Sequence, residues 1–164
     1  SEGLGESMTS KLYAVIRLRG CVGVPPDIKL TLQSLRLTRK NHCTIVEATP
    51  SIEGMLKKAS GYITYGEISE DTLAALLEKR GRLRGDKKLT LDHIKRLGFE
   101  SFKDLAKALL EGKMKLKDIP NLKPVFRLHP PSKGFRGTIK RPYGQGGELG
   151  YRGTAINELL MRMI

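Results

Sequence analysis

The segment PSKGFRGTIKRPYGQGGELGYRG, residues 131–153, carries the residue types of a polyanion site. Lys133, Arg136, Lys140, Arg141 and Arg152 are set among glycines and face one acid, Glu148. A guanidinium can grip a phosphate through two parallel N–H···O bonds, whereas an ammonium acts as a point charge. Glycine lets a backbone come close to a ligand, and Phe135 and Tyr143 offer rings on which unpaired bases can stack. A second basic run, KRGRLRGDKK over residues 79–88, holds Arg80, Arg82 and Arg84 with Asp86 as its one acid. Arg17 and Arg19 end one hydrophobic strand pattern, Arg39, Lys40 and His42 precede or open a second, and Arg127 and His129 lie in a later one. The chemistry these positions share is neutralisation of phosphate.

The whole chain supports that reading. Its 164 residues include 30 Lys and Arg against 17 Asp and Glu, a formal net charge of +13. Such an excess favours a polyanionic partner, because each neutralised phosphate releases condensed counterions. Charge alone does not separate RNA from DNA, but no helix-turn-helix or zinc-finger pattern is present to read a duplex. An enzyme or ligand sensor would need a clustered acid–base or metal set. Cys21, His42 and Cys43 lack the paired short spacing of metal ligands. Cys43 reads instead as a small core hydrophobe. His93 and His129 have no nearby nucleophile, and the glycines at 144, 146, 147 and 150 lack the Gly-Lys-Ser/Thr ending of a phosphate loop. The expectation is therefore a protein that is not an enzyme and takes no cofactor, metal or small-molecule substrate. No apolar run approaches a membrane span and no signal-peptide core is visible, so a reducing cytoplasm is the expected compartment.

The elements that must position these cations alternate. KLYAVIRLR, residues 11–19, reads as a strand with Leu12, Ala14, Ile16 and Leu18 on an apolar face and Tyr13, Val15, Arg17 and Arg19 on a mixed one. A helix follows from Asp27, with Arg36, Arg39 and Lys40 suiting the negative end of its macrodipole. A strand at 42–49, a helix after Thr49-Pro50 and a strand at 62–65 come next. Ser69 is the expected N-cap of a helix buried through Leu73, Leu76 and Leu77. Such tight alternation predicts a compact two-layer α/β sandwich. Two short helices, near 91–97 and 102–111, a strand at 123–130 and a last helix at 154–163 complete the pattern. Residues 131–153 have no hydrophobic period and read as a long basic arm, mobile in the free chain and ordered on a polyanion.

The stretches RLRG, NHCTIV, GYITYGEIS, LKPVFRLHPPSKGFRG and GGELGYRG together resemble the large-subunit ribosomal proteins of the L-thirty family in their archaeal long form, related to eukaryotic L-seven. The resemblance runs from about residue 10 to 164. It implies a ferredoxin-like α/β (α+β) core over residues 11–80, preceded by a tail at 1–10. Residues 81–164 then form the archaeal and eukaryotic-type extension, with a helical insertion and the basic Gly-rich arm. It further implies a structural role on the ribosome, binding to large-subunit ribosomal RNA near the 5S RNA, and neighbouring ribosomal proteins as partners.

Overall fold

The computed structural model describes residues 11–164; the tail at 1–10 lies outside the described residues. The chain runs β1 (Leu12–Arg17), α1 (Pro26–Ser34), β2 (His42–Glu47), α2 (Pro50–Lys58), β3 (Ile63–Glu67) and α3 (Glu70–Arg80). A small hairpin of β4 (Arg82–Leu83) and β5 (Lys87–Lys88) follows, then α4 (Leu91–Arg96), α5 (Phe102–Leu110) and β6 (Phe126–Arg127). The chain ends with β7 (Thr138–Pro142), β8 (Gly147–Tyr151) and α6 (Ile156–Met163). Six strands make one sheet in the order β6-β2-β1-β3-β8-β7. β1 is antiparallel to both β2 and β3, while β3 and β8 are parallel. This is a mixed α/β fold with a ferredoxin-like core.

Local chemistry sets the helix starts. Thr49, Ser69 and Ser101 each accept a hydrogen bond from the backbone N–H three residues on, at 3.2, 3.3 and 3.1 Å. The macrodipole expectation for α1 is not met: the helix ends at Ser34 with no basic residue in its last turn. Arg36 sits beyond it at φ +64°, closing the helix, and Arg39 and Lys40 lie farther along the loop.

The mixed face expected for the first strand is buried as fully as the apolar one. Every residue from Leu12 to Arg17 is buried, because β1 is central and covered on both sides. Tyr13 and Val15 pack with Leu32 and Leu35 around α1 and with Leu56 of α2. Leu12, Ala14 and Ile16 face the opposite way, into a cluster with Leu76 of α3, Leu105 of α5 and Leu160 of α6. The two-layer unit of sheet plus α1 and α2 is thus backed by a third layer of helices. The strand expected at 123–130 shrinks to two residues. Pro124 and Pro130 bracket it and have no N–H to give to a ladder.

Residues 131–153 are not structureless. They contain β7 and β8, and β8 carries them into the main sheet beside β3. Two of its glycines, Gly137 and Gly147, serve backbone packing, as does Gly66 of β3. A Cβ on Gly147 would overlap the Arg141 carbonyl, one on Gly137 would lie 2.8 Å from the Gly146 oxygen, and one on Gly66 of β3 would overlap the Gly153 oxygen.

Candidate nucleic-acid interface

The sheet edge at β6 gathers cations from three separate stretches of sequence. His42 pairs in register with Arg127, and the Leu128 N–H donates to the Asn41 carbonyl at 3.0 Å. The 39–42 turn, with Arg39 and Lys40 exposed, therefore lies beside Arg127. Arg80, at the end of α3, and Arg82 of β4 face a concavity that Arg127 and Lys123 also line. Lys123 was not among the cations singled out from sequence. It is placed there because its N–H donates to the Arg82 carbonyl at 2.8 Å. Arg84 is exposed on the hairpin loop, and His129 is exposed where its N–H meets the Met163 carbonyl at 3.0 Å. Arg19 is half-buried, donating to the Gly61 carbonyl at 3.3 Å with its guanidinium 5.1 Å from the centre of the Tyr62 ring.

His42 adds no positive charge near neutrality. Burial first, then the charges of Arg127, Arg39 and Arg17, hold its pKa below the usual histidine value. It is thus a neutral ring among cations, and its Nδ1 is buried without a hydrogen-bond partner.

The second gathering of cations is the arm. Lys133, Lys140 and Arg141 are exposed and form no ion pair among the described residues. Arg136 is exposed and meets Glu158 of α6 at 3.2 Å, a surface pair that contributes at most about 1 kcal/mol. Arg162, which sequence did not mark, ties the base of the arm to α6. Its Nη1 donates to the carbonyls of Ser132 at 3.2 Å and Gly134 at 2.6 Å.

Two of the expected phosphate ligands are internal. Arg17 is only 4% exposed, and its guanidinium donates to the carbonyls of Leu37 at 2.7 Å, Arg19 at 2.8 Å and Gly20 at 3.1 Å. It ties the end of β1 to two loops and has no donor facing outward for a phosphate. Arg152 is 8% exposed. It donates to Glu148 Oε1 at 2.8 Å, to the Glu148 carbonyl at 2.6 Å and through Nε to Thr64 Oγ1 at 2.7 Å. The other Glu148 oxygen accepts from Gly137 N–H at 2.6 Å. Tyr143, expected to stack on a base, has the Arg152 guanidinium 4.6 Å from its ring centre. Phe135 is partly buried against the core rather than free. The Arg152–Glu148 spacing of four residues, with Glu148 the arm's lone acid, was the available signal for this pair.

Among the described residues no helix is long and apolar enough to cross a membrane, and no group of three or more His, Cys, Asp or Glu side chains is able to hold a metal. Cys43 is wholly buried, and burial pushes its thiol up to about 12, so it is a core thiol rather than a thiolate.

A model of the family described as ribosomal protein L30p/L7e matches residues 13–63, which run from β1 to the first residue of β3. The large ribosomal subunit protein uL30 of Nanoarchaeum equitans is 56% identical over 154 residues, covering 93% of this chain and 99% of the relative. The uL30 protein of Thermofilum pendens is 51% identical with the same coverage. That of Ignicoccus hospitalis is 50% identical over 159 residues, covering 96% of this chain and all of the relative. The similarity to these relatives therefore extends well past residues 13–63, over nearly the whole chain. On this identity and coverage, the chain belongs to the ribosomal protein L30p/L7e family.

Proposed function

We propose that the chain is a structural constituent of the large ribosomal subunit that binds and stabilises ribosomal RNA, by phosphate neutralisation rather than by reading base sequence. Its family and relatives are ribosomal proteins, not enzymes. The observation that carries the RNA reading is the distribution of unpaired charge. Arg39, Lys40, Arg84, Lys133, Lys140 and Arg141 all point outward with no carboxylate in reach among the described residues. Arg127, His129 and Arg136 are exposed beside them, and Arg80 and Arg82 are half-buried. Arg17 and Arg152 support the surface from below. A position close to the 5S RNA rests on the family resemblance alone, as does the division into a core at 11–80 and an extension at 81–164.

The test is competition. Labelled chain bound to folded large-subunit ribosomal RNA is challenged with duplex DNA at equal nucleotide concentration and fixed salt. Retention on the ribosomal RNA is the expected outcome, because folded RNA presents phosphates from packed helices to two cation groups at once. Equal displacement by duplex DNA would replace this reading with a non-specific polyanion binder.

A further inference from the structure

We propose that the concavity between α3, the β4–β5 hairpin and β6 seats a single backbone phosphate of RNA, and that Asp86 occupies that seat in the free protein. This rests on the RNA-binding reading above and names one contact within it. The concavity is lined by Arg80, Arg82, Asp86, Lys123, Val125 and Arg127. One oxygen, Asp86 Oδ1, lies 3.4 Å from Lys123 Nζ and 4.0 Å from Arg127 Nη1.

The donors around that oxygen are mostly unspent. At 4.0 Å the Arg127 guanidinium makes no hydrogen bond to Asp86, so its two-pronged face is open. Arg80 has one bond, from Nη2 to the Ile164 carbonyl at 3.3 Å, while its Nε is buried with no partner among the described residues. Arg82 uses Nη1 on the Lys79 and Gly81 carbonyls. A carboxylate at the mouth leaves this set half-satisfied. A phosphodiester shares its one negative charge over two non-bridging oxygens on a larger tetrahedron, so that one can meet the Arg127 fork while the other meets the Lys123 ammonium.

The walls are ordered, so the seat is formed in advance. Leu83 of β4 pairs with Lys87 on one side and with Leu122 on the other. Arg84 N–H also donates to the Asn121 carbonyl at 2.9 Å. Asp86 is the movable element: it sits at the hairpin tip after Gly85, with φ +82° at Gly85 and +61° at Asp86. Its side chain is 60% exposed, so it can swing into solvent when a phosphate takes its place.

The test is RNA affinity of the full chain for folded large-subunit ribosomal RNA, with Asp86→Asn, Lys123→Gln, Arg127→Gln and a charge control. Asn tolerates a left-handed backbone as well as Asp does, so the hairpin keeps its shape. Glu100→Gln is the control. It removes the same charge from an exposed site just before α5, whose Lys103 reaches Glu70 and Asp71 at the end of α3 opposite Arg80. Asp86→Asn is expected to bind about two- to fivefold tighter than Glu100→Gln, the range an exposed ion pair can withhold. In the Lys123→Gln/Arg127→Gln background that gain should vanish. Lys123→Gln and Arg127→Gln together should lower the slope of log affinity against log salt by about one, the share of a single phosphate. Equal binding of Asp86→Asn and Glu100→Gln, or weaker binding of Asp86→Asn, overturns the seat while leaving RNA binding intact. Loss of salt sensitivity in the unaltered chain would instead overturn the RNA reading itself.

Discussion

Arg152→Ala is expected to destabilise the free protein by about 3–5 kcal/mol, the usual cost of removing one partner from a buried ion pair. The Arg152 and Glu148 side chains are 4% and 5% exposed and 2.8 Å apart. Removing the guanidinium leaves a carboxylate buried with only the Gly137 N–H to satisfy it, and deprives Thr64 on β3 of its donor. Because β8 joins the sheet through β3, the loss falls on the whole sheet edge rather than on a loop. At about 2–4 °C per kcal/mol for a chain of this size, the melting temperature should fall by roughly 6–20 °C. Glu148→Ala should act similarly. Replacing both residues by Met should restore much of the loss, since an apolar pair leaves no charge without a partner. Thermal or urea melts of the three variants check this. A loss under about 1 kcal/mol for Arg152→Ala, together with weaker RNA binding, would return Arg152 to the phosphate-contact role.

The second large effect is in binding. Affinity for ribosomal RNA should fall roughly 10³–10⁵-fold between about 50 and 200 mM salt if about six to ten phosphates are neutralised. The outward cations at the β6 edge and on the arm are enough for that number, even with Arg17 and Arg152 removed from the count. Arg17→Met provides the contrast. It should lower stability, because three carbonyls lose their donor, and leave the salt slope unchanged. Filter binding across a salt series measures the slopes, and a urea melt measures the stability. A nearly flat dependence would contradict the electrostatic account.

What could be read from the sequence divides by physical cause. Element type followed from local rules: Ser69 as a cap, the alternation from Leu12 to Leu18, the Leu73, Leu76 and Leu77 stripe. Those signals are carried by neighbours in sequence. The fate of Arg17 was not, because its strand is buried on both faces only once α1 and α2 on one side and α3, α5 and α6 on the other have packed. An alternation with a polar second face looks the same in an edge strand and in a central strand that buries one satisfied arginine.

The arm was misread for a related reason. Its pairing depends on backbone contacts at Gly137 and Gly147 and on one buried ion pair, none of which gives a hydrophobic period. Glycine fits close approach to RNA and close approach to another strand equally well. At Gly137 and Gly147 it serves the latter. The outward cations of the arm remained as sequence placed them, since an exposed Lys or Arg needs no partner from the fold. Lys123 was missed because long-range backbone pairing with the β4–β5 hairpin, at Arg82, Leu83 and Arg84, brings it into the concavity.

The most direct test of the central division, between cations that hold the fold and cations that hold RNA, is the salt slope of the triple variant Lys133→Gln, Lys140→Gln, Arg141→Gln. All three side chains are exposed and form no ion pair among the described residues. The melting temperature should therefore match that of the unaltered chain, while the slope of log affinity against log salt falls by about one per residue removed. An unchanged slope with this variant, in a protein that still binds ribosomal RNA, would contradict the assignment of the arm's outward face to RNA.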